Sequence, residues 1–353
     1  MKYGALERGL LVINRINEIV EKPDNAFGQG IKERDGYIFT SICNPLKRYD
    51  AIVIKYPHSI TCESPNIIGS KKSLKEQINI INRYKIDKAL IISDNIEFLQ
   101  QCPTLKHLVI YPSDDAGNNF DYSPLYEMPE IKSLCCSVIY GNKNQYKTKI
   151  DLSKIKGLQY VSIGDYGFEG LDKLKTIKTL QVTGHKLKDL AILSKNKLLD
   201  TLMIRECKIE NLNGIEDNNK LQCLYLFSNR NLEDISDLKK SKRTLKSLRI
   251  DKCPKITDFS VLKELENLEL LELSGNNKIK NLDFLKELKN LKVLNISFFI
   301  ENGDLTPCLN IPYVFLEKER KHYNLKDSAF SKNKEKYKRG NENIEEWRRL
   351  GNY

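Results

Sequence analysis

One frame of apolar residues recurs along most of this chain, and it constrains the fold more than any other feature. The clearest copy is Leu268-Glu-Leu-Leu271-Glu-Leu273-Ser-Gly-Asn276, followed by Ile279, Leu282 and Leu285. The same spacing returns from Leu245 (Leu248, Ile250, Cys253), Leu221 (Leu224, Leu226, Asn229) and Leu199 (Leu202, Ile204, Cys207). It also returns from Ile177, Leu158 and Leu291, so successive starts lie 19, 22, 22, 24, 23 and 23 residues apart. Fainter copies begin at Ile131, Leu105 and Ile86. Strand side chains alternate between faces, so the fourth and sixth positions point inward from a short strand. The ninth position, Asn or Cys in four copies, falls where the chain leaves the strand, and there a polar side chain satisfies backbone groups. Each coil offers about six apolar side chains worth ~1.5–3 kcal/mol apiece when fully buried, and only stacking on a neighbour buries them.

This is the leucine-rich-repeat pattern, within its expected period. Ile235-Ser-Asp-Leu238, Phe259-Ser-Val-Leu262-Lys-Glu-Leu265 and Leu282-Asp-Phe-Leu285-Lys-Glu-Leu288 follow the frame in the second half of three copies. They resemble the short repeats of bacterial internalin-like and eukaryotic phosphatase-regulator proteins. The resemblance implies an α/β leucine-rich-repeat solenoid, with a curved parallel sheet on its concave face and short helical or irregular convex segments. Caps are expected at both ends, because stacked coils leave their cores open there.

Residues 1–85 do not follow the repeat and read as an N-terminal α/β cap or degenerate coils. An amphipathic helix is expected over Leu6–Val20, strands at Tyr37–Ile42 and Ala51–Tyr56, and a helix opened by the capping box Ser73-Leu-Lys-Glu76 and running to about Tyr84. Residues 86–325 hold the repeats and a closing segment in which His322 is structural. Residues 326–353 form a charged tail or helix, with Ile344, Trp347 and Leu350 on one helical face. Tyr111–Pro129, rich in Asp and Asn, reads as a solvated loop whose spacing fits no calcium-binding hand.

Chemical motifs are missing. Gly69-Ser-Lys-Lys-Ser73 lacks the first glycine of a phosphate loop, and the chain has no Gly-x-Ser-x-Gly, His-Glu-x-x-His or Cys-x-x-Cys. No catalytic residue, metal ligand or cofactor is expected, and the chain reads as a non-enzyme. Nine Cys, an odd number, and no apolar leader segment point to reduced thiols in the cytoplasm. No run approaches the ~20 apolar residues of a membrane span.

The net charge of +11 invites nucleic acid as a partner. Yet residues 1–85 carry 14 basic against 9 acidic side chains and residues 329–353 carry 7 against 4, leaving 37 against 34 over the repeats. Nucleic acid is therefore not the expected partner, and it stays the alternative together with a ligand-binding or enzymatic N-terminal region. The leading expectation is a monomeric, intracellular, bacterial protein that binds another protein, one version of which is an enzyme or toxin that it inhibits as an immunity protein would. Positions three, five and seven of each copy face outward on the strands. They are small and polar at Ser133, Ser162, Thr179, Gln181 and Thr183, then change to Met203, Arg205, Tyr225, Phe227, Arg249, Asp251 and Glu272. Tyr, Met and Arg are enriched in interface cores, so these seven are the expected protein-binding residues. A weaker patch is His107 and Tyr111 with Leu90 and Ile92.

Overall fold

The computed structural model describes residues 20–22, 31–40, 51–56, 69–113, 120–136, 149–164, 168–215 and 219–330. The expected helix at Leu6–Val20 and the tail beyond 330 lie outside them. The chain falls into two compact units divided after Leu174, within the repeats.

The first unit opens with an antiparallel ladder of β1 (Val20–Lys22), β2 (Ile31–Arg34), β3 (Tyr37–Thr40) and β4 (Ala51–Tyr56). Asp35 and Gly36 join β2 to β3 with φ of 50° and 79°, the left-handed pair that a two-residue hairpin requires. Pairing then turns parallel from β4 through β5 (Lys88–Ser93), β6 (His107–Pro112) and β7 (Ser133–Cys136). Beyond the short β8 (Ile150–Asp151), β7 pairs with β9 (Tyr160–Ile163), and β8 pairs with β10 (Phe168–Glu169). Helix α1 (Leu74–Tyr84) links β4 to β5. Its capping box is formed as the sequence predicts, with Ser73 and Glu76 exchanging hydrogen bonds.

In the second unit β11 (Thr179–Thr183), β12 (Thr201–Arg205), β13 (Cys223–Phe227), β14 (Ser247–Asp251) and β15 (Leu270–Ser274) form a parallel ladder. It continues from β15 to β17 (Val293–Ile296) and then β19 (Tyr313–Leu316), while the two-residue β16 (Lys278–Ile279) and β18 (Phe299–Ile300) pair separately. The inward rows Leu180–Leu202–Leu224–Leu248–Leu271–Leu294 and Val182–Ile204–Leu226–Ile250–Leu273–Ile296 are 0–1% exposed, as the frame requires.

Two internal ladders hold the coils. Asn229 donates from Nδ2 to the Ile204 carbonyl (2.8 Å) and accepts from the Cys207 N–H (2.9 Å), all out of water. Cys207 and Cys253 donate to the preceding coil in the same way but more weakly, with Sγ 3.7 Å from the Val182 carbonyl and 3.6 Å from that of Leu226. In the next coil the role falls to Asn277 rather than Asn276, with Nδ2 2.8 Å from the Cys253 carbonyl and 3.0 Å from that of Ile256. The reason is one extra residue. Glu206, Ser228 and Lys252 turn the chain with φ of 52–53° just before the buried side chain, whereas Gly275 turns at φ 133°, leaving Asn276 exposed.

The second ladder lies at the other edge of the coils. Asp189, Asn211, Asp234, Asp258, Asn281 and Asp304 each accept from the N–H two residues on, at 2.8–3.0 Å. At most rungs a single 3-10 turn follows. The last coil is closed by Tyr323, whose hydroxyl bonds Phe298 O and Ile300 N, and by His322 Nε2, 2.9 Å from the Ile300 carbonyl. The Tyr111–Pro129 segment departs from a solvated loop. Phe120, Tyr122, Leu125 and Met128 are 0–6% exposed, so its described half packs inward.

Candidate functional site

In the second unit, the outward positions of six neighbouring strands form two lateral rows. Register places Gln181, Met203, Tyr225, Arg249, Glu272 and Asn295 side by side. The next row runs Thr183, Arg205, Phe227, Asp251 and Ser274. Parallel neighbours sit ~4.8 Å apart, so side chains of adjacent strands must touch. The Tyr225 and Phe227 rings meet at 6.0 Å between centroids, tilted by 55°. Arg205 lies over Phe227 with Cζ 4.4 Å from the ring centre, Lys252 Nζ lies 5.2 Å from the same ring, and Arg249 Cζ is 6.0 Å from the Tyr225 ring. Arg249 also pairs with Glu272 at 3.6 Å, and Arg205 with Glu206 at 3.4 Å.

Crowding desolvates this face. Burial, reinforced by Asp251 and Glu272, pushes the Tyr225 phenol up to about 12, so it stays protonated and able to donate. Burial also raises Glu272 above the ordinary carboxylate range, with Asp251 and Glu317 adding to the rise and Arg249 opposing it. Asp251 is raised by burial and by Glu317, against Lys252 and Arg205. The face thus holds aromatic surface, cations laid on rings, and carboxylates short of solvent.

Similar folds are found among solved structures. An internalin of Listeria monocytogenes, InlF, matches with a TM-score of 0.51 at 20% identity, over 72% of this chain and 74% of its own. The chain has the leucine-rich-repeat fold of the internalin type. A leucine-rich-repeat protein of Leptospira interrogans matches at 17% identity and a TM-score of 0.46, over 74% of this chain and 62% of that protein. Internalin C2 of Listeria monocytogenes matches at 21% identity and a TM-score of 0.36, over 63% and 74%. No protein-family model and no curated sequence matches the chain.

Against this leucine-rich-repeat frame, Arg205, Tyr225, Phe227, Arg249, Asp251 and Glu272 stand together and partly open. Met203 does not share their access. It is 6% exposed, filling the space between Gln181 and Tyr225 as core rather than contact surface. The weaker patch is also closed, since Leu90, Ile92 and Tyr111 are 4%, 0% and 9% exposed within an apolar cluster that includes Ile38 and Val53. There His107 Nδ1 meets Ser133 Oγ, and burial lowers the imidazole below its ordinary range against the opposing charge of Asp87. Sequence reasoning missed Lys252, Ser274, Asn295 and Glu317. Lys252 precedes the buried Cys253 and would have been assigned to a turn. Asn295 and Glu317 sit in coils whose frame is fading. Among the described residues no group of His, Cys, Asp and Glu is arranged to hold a metal ion, and no helix is long and apolar enough to cross a membrane.

Proposed function

We propose that this chain is a protein-binding scaffold that takes its partner on the outward face of the second unit, around Arg205, Tyr225, Phe227, Arg249, Asp251 and Glu272. The carrying observation is the Tyr225–Phe227 pair, braced by Arg205, Arg249 and Lys252 at the centre of an otherwise small and polar sheet face. Pre-ordered aromatics flanked by guanidinium groups are what interface hot spots are made of, because little side-chain freedom remains to be lost on docking. Interspersed charges of both signs disfavour a polyanion there. Among the described residues Cys102, Cys135, Cys136, Cys207, Cys223, Cys253 and Cys308 form no disulfide, which supports a reducing, intracellular setting. Residues 1–85 serve this reading as a cap on the repeats. Its most specific form is an inhibitor or immunity-type protein of a bacterial cell that covers the working face of an enzyme or toxin.

The test is the double substitution Tyr225→Ala with Phe227→Ala, compared with the parent chain in capture from native bacterial lysate and in thermal melting. Capture of the partner should fall by at least about tenfold, as loss of a hot spot demands, with the melting midpoint nearly unmoved. A variant that captures the same partner equally well, or that no longer folds, removes the basis for this site.

A further inference from the structure

The site's chemistry narrows the partner further, on the reading that this face is the binding site. Its cations already have company. Arg205 and Lys252 lie on Phe227, and Arg249 is shared between Tyr225 and Glu272. Its acceptors are less fully served. Asn295 Oδ1 is buried without a hydrogen-bond partner, and Ser274, 8% exposed, has its side chain engaged by the Glu272 carboxylate. Register sets Ser274 beside Asp251 and Asn295 beside Glu272, on neighbouring strands ~4.8 Å apart and rows ~7 Å apart. Among the described residues neither Asp251 nor Glu317 forms an ion pair, and Glu272 has only Arg249. Burial raises Asp251 and Glu272, Glu317 adds to the rise of both, and Asp251 adds to that of Glu272. A buried acceptor without a donor and a half-desolvated carboxylate both carry a free-energy penalty in the unbound chain.

We infer that the partner is a protein segment that sets an arginine into the corner formed by Asp251, Ser274, Glu272 and Asn295, with an apolar side chain beside it on Tyr225 and Phe227. A guanidinium supplies five N–H donors in a rigid fork and one positive charge, which matches a cluster of acceptors spread over two rows. An ammonium has three donors from one point and reaches fewer of them. The arginine's flat face also tolerates the neighbouring rings, so the same side chain serves both halves of the surface.

A peptide-display library selected against the full-length chain tests this. Enriched peptides should carry arginine next to an aromatic or large aliphatic residue. Binding of a selected peptide should weaken about tenfold on the Asp251→Asn chain, which removes the charge and keeps the shape. Replacing the peptide's arginine with citrulline should abolish most of the remaining affinity, and lysine should recover only part of it. Asp251→Asn should melt no lower than the parent, which separates weakened binding from unfolding. Peptides that require Tyr225 and Phe227 yet are acidic or arginine-free, or that tolerate citrulline, overturn the arginine assignment while the binding face stands. Peptides that bind the Tyr225→Ala, Phe227→Ala chain unchanged, or no enrichment at all, overturn the face and this inference together.

Discussion

The outward face of the sheet is built in two different ways in the two units. In the first, register lines up Val53, Leu90, Val109 and Cys135, with Ile92 and Tyr111 in the next row. In the second, the corresponding row reads Gln181, Met203, Tyr225, Arg249, Glu272 and Asn295. Strands β5 and β6 are near-continuous apolar runs, buried on both faces, whereas β11 and β14 alternate buried and part-open residues. A strand apolar on both sides belongs between two packed layers, and an alternating one leaves one side to water. The same repeat frame therefore serves two ends. It makes a closed core in the first unit and an open reading surface in the second.

The strongest check of that contrast is a pair of outward-facing truncations. Ile92→Ala in the first unit should destabilise by ~2–5 kcal/mol, because a fully buried isoleucine leaves a cavity. Gln181→Ala in the second should stay within about 0.5 kcal/mol, as for a surface change. Urea unfolding followed by circular dichroism reads both. Equal, mild effects would mean that the first unit's outward face is open after all, returning His107 and Tyr111 to the list of contact surfaces.

Much of this was readable from the amino acids, and the misses have physical causes. The inward rows, the capping box at Ser73 and the strands at Tyr37 and Ala51 follow from periodicity and local chemistry that no tertiary context overrides. Met203 was misjudged because alternation says which face a side chain takes, not whether large neighbours such as Tyr225 close over it. Alternation puts Leu90 and Ile92 in an outward patch for the same reason, although the unbroken apolar run around them argues for cover. The frame puts Asn276 at the ninth position because counting residues cannot register a glycine at φ 133°. The Asx ladder went unnoticed because Asp and Asn alternate along it, so no single letter repeats. Its spacing of 22 to 24 residues equals that of the leucine frame, which is the signal that would have found it.

The next test concerns the buried ladder, which belongs to the second unit's coils and lies beneath its open face. Asn229→Ala strands the Ile204 carbonyl and the Cys207 N–H away from water and should lose ~2–4 kcal/mol, one desolvation penalty for each orphaned group. Asn277→Ala should follow it, and Asn276→Ala should change little, since its side chain is exposed. If Asn276→Ala were the damaging one, the one-residue shift at Gly275 would be wrong. Hydrogen exchange at Cys207 N–H gives the same answer locally. Along the other edge, Asp234→Ala removes a single acceptor from the Ser236 N–H and should lose only about 1 kcal/mol, the usual worth of such a cap.

The smallest effect separates the two edges of the second unit by pH. On the outward face Asp251 and Glu272 are raised, chiefly by burial, so the folded chain holds their protons more tightly than the unfolded chain does. Stability from these groups therefore improves as pH falls through the region just above the ordinary carboxylate range. In the Asx ladder the opposite holds. Asp258 is lowered by the Ser260 backbone and side chain, and Asp304 by those of Thr306, so their contribution is present above ordinary carboxylate values and is lost as pH falls below them. Acidification from neutrality should first stabilise the chain slightly and then destabilise it. Asp251→Asn should flatten the first step and Asp258→Asn the second. Carboxyl carbon shifts followed by NMR assign each midpoint directly. Titration of Asp251 at or below the midpoint of Asp258 would show that the outward face is as well hydrated as the ladder, and its carboxylates would then have no need of a partner's cation.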